Sequence, residues 1–418
     1  MTRLEIPESE RVCPGCGNPR SEIGEDIRRT LEFVPGRFVE FEEHQVKYAC
    51  GGCKDAVQTA EPEQARILER SEAGATLLGH AVVSKFVDHM PLNRLAKVYE
   101  RAGADIPVST LADWMAGTAD ALGPLVEALA ERVLKADIVR TDATGMKVLD
   151  RTLEANVARG TIWCYVGDSL DVLYRYAETG EAADGPWKFL AGRKGYVQAD
   201  ASNSFDRLFN GMVANAIEVG CWGHARRGWF GIKDVDVRVS YPLTIVQHLY
   251  RVETLADARG LDPPGRAKLR QERSQPELDK LKRWILQTQQ TEPPKSSMSK
   301  ANCYVLNQWE ALTRFVEDGR LSLDNNLTEQ QMRAVAMGRR NFLFCGSHEG
   351  ARRAAVLYSL VRTCALRGVA PLGYLTDVLK RLANGWPMNR IEELLPGNWK
   401  PEMDAAKTAM EKTATVSA

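Results

Sequence analysis

Three acidic residues and two close pairs of cysteines are the parts of this sequence whose types and spacing could do chemistry. Asp142 sits in Val139-Arg-Thr-Asp-Ala-Thr-Gly, just after an apolar strand start, where a carboxylate without partners is costly. Asp200 ends the apolar run Gly195-Tyr-Val-Gln-Ala as the chain turns into Ala201-Ser-Asn, and Glu329 lies one turn into a helical pattern after Asp324-Asn325-Asn326. Carboxylates converging from separate elements can hold two Mg²⁺ or Mn²⁺ ions about 4 Å apart, the arrangement that cleaves phosphodiesters. Each residue also has a plainer reading: a solvated strand-end Asp, an N-cap, and a solvated helical Glu. The cysteines speak more clearly. Cys13-Pro-Gly-Cys16 and Cys50-Gly-Gly-Cys53 each place two thiols on a tight turn, and two such turns complete a tetrahedral four-thiolate zinc site.

The elements that must position these residues follow from the pattern along the chain. Residues 10–57 read as a zinc-binding module whose fold depends on its metal. Glu32 to Phe41, broken at Pro35-Gly36, suggests a hairpin inside it. His44 is read as structural, because four thiols already fill a shell. Residues 74–135 read as a helical segment: Ala75 to Val87, a helix opening near Pro91, and a third capped by Ser109. Helix, turn and helix is the outline of a DNA-reading helix-turn-helix and equally of any small bundle.

From about Lys135 the period changes to that of strands. Ala136 to Asp150 reads as a strand pair, Thr161 to Val166 and Val172 to Ala177 as strands, with a short helix near Trp187. A strand ending at Asp200, a helix over Ser204 to Met212 and a strand over Ala216 to Trp222 follow. Three antiparallel strands, helix, strand, helix, strand is the order of an RNase H-like core. The expected fold is therefore α/β: an RNase H-like core split between residues 136–226 and 319–397, with a helical insertion over 227–318. The C-terminal helices close the second part, and residues 398–418 read as a mobile tail.

Basic clusters near these elements bear on partners. The chain carries 55 basic and 55 acidic residues, so any attraction to a phosphate backbone must come from uneven distribution. From Arg333 to Arg367 there are Arg333, Arg339, Arg340, Arg352, Arg353, Arg362 and Arg367 against the single acid Glu349. Arg226 and Arg227, in Cys221-Trp-Gly-His224-Ala-Arg-Arg, lie beside the presumed site. Arg226, Arg227, Arg333, Arg339 and Arg340 are the DNA-binding candidates. Cys221, His224 and Asn325 are candidates to support the carboxylates, with a plain core role as the alternative. Cys221 and His224 alone are too few for a metal site. Phe342 and Phe344 are read as core. No apolar leader and no run of about eighteen apolar residues occurs, so a cytoplasmic protein is expected.

These segments together resemble the transposases of the IS66 family of bacterial insertion sequences. The resemblance is carried by Cys13-Pro-Gly-Cys16 with Ile23-Gly-Glu-Asp, Leu31-Glu-Phe-Val-Pro, Lys47-Tyr-Ala-Cys50, Gly220-Cys-Trp-Gly-His-Ala-Arg-Arg and Asp324-Asn-Asn. It continues through Gly338-Arg-Arg-Asn-Phe-Leu-Phe-Cys-Gly-Ser and Leu394-Leu-Pro-Gly-Asn-Trp, nearly the whole chain. It implies an RNase H-like nuclease whose Asp-Asp-Glu triad falls on Asp142, Asp200 and Glu329, cutting element ends and joining the 3′-hydroxyl to target DNA. It also implies structural zinc on Cys13, Cys16, Cys50 and Cys53, and catalytic Mg²⁺ or Mn²⁺ on the triad. The implied partners are double-stranded DNA, further copies of the chain on that DNA, and accessory proteins of the same element. Three positions depart from the family. A leucine-zipper-like helix usually precedes the cysteines, where this sequence has twelve residues, as a shortened copy would. Ala143-Thr144-Gly145 stands where Glu-Thr-Pro is usual, and Gln330 where Arg is usual. The alternatives are a catalytically degenerate copy that only binds DNA, and an RNase H-like nuclease without strand transfer.

Overall fold

The computed structural model describes residues 7, 11–20, 22, 31, 36–50, 52, 57–63, 65–69, 71–200 and 202–401. Cys53, Ile23 to Asp26, Glu32 to Pro35 and the tail from residue 402 lie outside them, and with them much of the expected hairpin; residues 36–41 form no strand. The chain divides into two units, residues 1–40 and 41–418.

In the first unit, Cys13 and Cys16 lie on a turn closed by Gly17 N–H donating to the Cys13 carbonyl (2.9 Å) and Cys13 N–H to that of Asn18 (2.9 Å). Gly17 has φ +74°, a conformation open to glycine without steric cost. In the second unit, strands β1 (Lys47–Tyr48) and β2 (Gln58–Thr59) pair antiparallel.

Three helices follow: α1 (Ala75–Phe86), α2 (Leu92–Arg101) and α3 (Val108–Lys135). Pro91 and Pro107 stand at the N-caps of α2 and α3. Ser109, expected to cap α3, is its second residue instead, because Pro107 already supplies the extended entry (φ −59°, ψ 148°). Along α3 the apolar residues Leu111, Met115, Leu122, Leu125, Leu129 and Val133 recur at helical spacing and are buried.

The mixed α/β class expected from the sequence is observed. Ala136 to Asp150, read as a strand pair, is one long strand, β3 (Ile138–Leu149). Thr144-Gly145 resembles a turn, but both residues continue the ladder with β4 (Val157–Gly167). Next come β5 (Val172–Ala177), α4 (Pro186–Phe189), β6 (Tyr196–Gln198), α5 (Asp206–Phe209), β7 (Ile217–Val219) and α6 (Trp222–Phe230). The sheet order is β5-β4-β3-β6-β7. β3, β4 and β5 are antiparallel, whereas β6 runs parallel to β3 and β7 parallel to β6.

Helices α7 (Ser240–Ala258), α8 (Pro263–Arg273), α9 (Gln275–Thr291), α10 (Ser297–Asn307) and α11 (Trp309–Thr313) come between α6 and the last helices. Of the two Pro-Pro pairs that break the helical pattern, Pro263-Pro264 opens α8, whereas Pro293-Pro294 lies in the connection between α9 and α10. Asp262 accepts from Gly265 N–H at the head of α8, and Ser296 from Ser299 N–H at the head of α10. Their apolar faces (Leu249, Leu278, Leu281, Ile285, Val305) share one core with Val219, Trp222 and Trp229 at the β7–α6 junction.

The chain ends in α12 (Asn326–Phe342), α13 (His348–Leu366) and α14 (Pro371–Ala383). Helix α13 covers the edge strand β5: Thr363 Oγ1 accepts from Val172 N–H (2.9 Å) and Ser359 Oγ from Tyr174 N–H (2.8 Å). Edge amides are thereby satisfied instead of being left to template another strand. Fully buried Asp171 meets Arg132 of α3 (2.9 Å) and Arg367 just after α13 (3.1 Å). Among the described residues no helix is long and apolar enough to cross a membrane.

Candidate active site

The register of the central strands places two of the acids. β3 and β6 are parallel neighbours with Arg140 opposite Gln198. Asp142 and Asp200 each lie two residues beyond that pair, so they leave adjacent strands at the same level, with strands about 4.8 Å apart. Gln198 fixes this end of β6: its buried amide donates to the carbonyls of Gly220 (3.1 Å) and Ser322 (2.8 Å). Just after β6, Ser202 Oγ rather than Asp200 accepts from Ser204 N–H (3.3 Å).

Glu329 comes from the first turn of α12, and Asn325 holds that helix start in place. Asn325 is 1% exposed. Its side-chain amide donates to the Thr141 carbonyl (2.8 Å), next to Asp142, and its backbone N–H donates to Cys221 Sγ (3.3 Å). One residue thus ties β3, the head of α6 and the head of α12. Asp324, one residue before the N-cap Asn325, steadies the approach: its Oδ1 accepts from Asn326 N–H (3.1 Å) while Oδ2 accepts from Tyr250 (2.7 Å).

The electrostatics are those of acids drawn together. The Asp142 carboxyl is pushed up from 3.8 to about 6, mostly by burial and further by the charges of Asp200 and Glu329. The Ala143 N–H, donating to Asp142 Oδ1 (2.8 Å), and Arg227 oppose the rise. Glu329 Oε1 lies 3.6 Å from both His224 Nδ1 and Arg227. Burial, then Arg227, push the His224 pKa down, against the pull of Glu329, Asp200 and Asp324. Cys221 is buried, and burial raises its thiol pKa.

This predicts a trade of stability against charge at Asp142. Between about pH 4 and 6 the folded chain keeps a proton that the unfolded chain has lost, so this carboxyl's contribution falls as pH rises through about 6. Asp142→Asn, neutral throughout, should melt above the wild type at neutral pH without divalent ions and level with it near pH 4. A melting difference independent of pH would contradict this.

The arginines divide into two groups. Arg339 donates to Thr144 Oγ1 (3.0 Å) and to the Gly145 carbonyl, so it braces β3. Arg352 pairs with Glu178 and Glu349, Arg353 with Asp120, Arg362 with Gln331 and Arg367 with Asp171. Arg226, Arg227, Arg333 and Arg340 are exposed. On α12 the exposed positions Gln330, Arg333, Met337 and Arg340 follow helical spacing and form one face. Phe344, read as core, is 49% exposed beside Leu343, whose φ is +68°. Leu343 turns the chain so that Cys345 N–H reaches the Lys147 carbonyl of β3 (2.9 Å), leaving Phe344 outside.

In the first unit, backbone amides of Gly15 and Cys16 hold the Cys13 thiol below its ordinary value, as suits a metal-ligating thiolate. Sequence reasoning missed Gln198 and Tyr250. A glutamine among the apolar residues of a buried strand was the available signal for the first; nothing local marked the second.

Three family models match this chain. One, described as Transposase IS66 family, covers residues 70–353; the IS66 C-terminal element covers 359–396; the zinc-finger binding domain of transposase IS66 covers 10–54. The chain is 32% identical to the uncharacterized protein y4hP of Sinorhizobium fredii (strain NBRC 101917 / NGR234) over 420 residues, 94% of this chain and 74% of that one. It is 32% identical to the uncharacterized protein y4qI of the same strain, over 95% of this chain and 76% of that one. Matches spanning zinc finger, central region and C-terminal element define a transposase by class. The chain belongs to the IS66 transposase family.

Proposed function

We propose that this chain is a DNA transposase whose RNase H-like core cleaves the ends of its insertion sequence and joins the freed 3′-hydroxyl to target DNA. The observation that supports the reading is that Asp142, half-buried on β3, has its proton affinity raised by burial and further by the charges of Asp200 and Glu329 from two other segments. The sheet order β5-β4-β3-β6-β7, with the first strand central and the last two parallel to it, supports the RNase H-like assignment. Mutual repulsion between partly accessible carboxylates is relieved by divalent cations, so the residues fit Mg²⁺ or Mn²⁺. Ions held there supply the Lewis acidity that activates the attacking oxygen and stabilises the departing one.

The chain's own residues do the rest. Asn325 and Gln198 fix the strand ends and the helix start, so the carboxylates need little reorganisation. Arg227, exposed and beside Glu329, is placed to meet a scissile phosphate. The face of α12 bearing Arg333 and Arg340 extends that positive surface along the backbone of the duplex. The zinc-finger match over residues 10–54 supports structural zinc in that segment of the chain.

Because Arg339 is committed to β3, Arg333 and Arg340 are the informative pair. Arg333→Ala/Arg340→Ala should weaken DNA binding for all sequences and reduce the slope of log K against log salt by about two. An unchanged slope would remove α12 from the interface. The strand-transfer half of the reading is tested with a pre-cleaved end bearing a 3′-hydroxyl and a supercoiled target. Joined product supports a transposase, and cleavage without joining makes the chain a nuclease only.

A further inference from the structure

Cys221, His224 and Glu329 bring one sulfur, one imidazole nitrogen and one carboxylate oxygen within 4.8 Å of one another. His224 Nδ1 lies 3.2 Å from Cys221 Sγ and 3.6 Å from Glu329 Oε1. In a tetrahedral zinc site with Zn–S near 2.3 Å and Zn–N or Zn–O near 2.0–2.1 Å, neighbouring ligand atoms stand roughly 3.2–3.6 Å apart. Taken pair by pair, the tetrahedral values are about 3.5 Å for sulfur to nitrogen and about 3.3 Å for nitrogen to oxygen, and the measured 3.2 Å and 3.6 Å each lie within about 0.4 Å of them. The sequence offered only Cys221 and His224 as a pair; folding supplies the third ligand from α12.

The backbone prepares the sulfur for this task. Cys221 Sγ receives Asn325 N–H (3.3 Å) and the His224 amide, as thiolates in metal sites commonly do. His224 leaves the first turn of α6 with Nδ1 facing both other ligands. Arg227, whose side chain is 62% exposed, is the cation now beside Glu329 and is free to swing into solvent.

We infer that Cys221, His224 and Glu329 form a second metal site, selective for a thiophilic divalent ion such as zinc, with its fourth position open. The inference rests on this geometry alone and stands whether or not the chain cleaves DNA. Sulfur and imidazole favour zinc or cobalt over magnesium, which takes oxygen ligands. Glu329 would belong to both sites, so zinc here takes that carboxylate from the oxygen-lined cluster of Asp142 and Asp200.

Cobalt titration of the full chain tests this, in the Cys13→Ser/Cys16→Ser/Cys50→Ser/Cys53→Ser variant so that the four N-terminal thiols do not contribute, with a phosphine reductant. One equivalent of Co²⁺ should bind with a sulfur-to-cobalt charge-transfer band in the near ultraviolet, displaced by one equivalent of Zn²⁺ and not by excess Mg²⁺. Adding Cys221→Ser should abolish the band. Glu329→Gln, which spares the sulfur and the packing, should keep the band but weaken the affinity roughly tenfold or more, about 1.4 kcal/mol. His224→Asn should do the same. No band in the chain lacking the four N-terminal thiols, or a band there that survives Cys221→Ser, overturns the site.

Discussion

Replacing Asp200 by alanine should lower the single-turnover rate of DNA cleavage on the order of a thousandfold or more while leaving end-DNA affinity equal to or tighter than that of the wild type. A metal ligand that stabilises charge only as it develops contributes several kcal/mol to the barrier, and about 1.4 kcal/mol is a factor of ten in rate. Affinity moves the other way, because a negative charge is removed from a surface that must approach phosphates. Asp200 suits this test better than Asp142, whose backbone sits in the central strand with a bond from Ala143 N–H. Asp200 lies beyond the last residue of β6 and is partly exposed, so its loss should spare the fold. Fluorescence anisotropy in Ca²⁺ reads binding, and a labelled duplex reads nicking. A variant that cuts within tenfold of the wild type would move the ligand role elsewhere.

The largest expected effect on stability lies away from the acids, at Arg270 of α8. This guanidinium is 1% exposed. It donates to both carboxylate oxygens of Glu253 (2.8 and 2.7 Å) and to the carbonyls of Phe315 (2.6 Å), Asp318 (3.0 Å) and Leu321 (3.0 Å). Arg270→Met keeps the bulk but strands three carbonyls and leaves Glu253 to Arg266 alone. Breaking a buried ion pair of this kind costs about 3–5 kcal/mol. Urea denaturation should show that loss, and Arg270→Met/Glu253→Gln should recover part of it. The held segment leads through Ser322 to Asn325, so cleavage should fall as well, even under conditions where the variant remains folded. A loss below about 1 kcal/mol would mean that water replaces the guanidinium at the carbonyls.

What the sequence disclosed and what it withheld divide along physical lines. Local patterns read well. Apolar alternation marked β4 and β5, and the breaks at Asp262-Pro-Pro-Gly and Glu292-Pro-Pro-Lys marked helix boundaries, the first opening α8 and the second parting α9 from α10. Ala136 to Asp150 read as a strand pair, whereas the unbroken ladder of β3 to β4 makes it one strand, a tertiary fact that local pattern does not carry. From spacing alone the acids were legible only as separate candidates, and it was the family resemblance that grouped them. Their proposed convergence rests on the β3–β6 register and on Asn325, whose two distant partners, Thr141 and Cys221, come from separate parts of the chain. The basic run from Arg333 to Arg367 was read as one field. The fold spends most of it on internal partners such as Asp171 and Gln331, and only side-chain contacts could reveal that. Likewise, Cys221 and His224 were too few for a metal site until α12 delivered Glu329.

The most direct test of the central claim is to incubate the full chain with a labelled duplex carrying the end of its own insertion sequence, in Mg²⁺ or Mn²⁺. The account predicts a nick at one position of that end, leaving a 3′-hydroxyl, and none when the ions are chelated. DNA bound tightly in Mn²⁺ yet left uncut would contradict it and make the chain a DNA-binding member of its family.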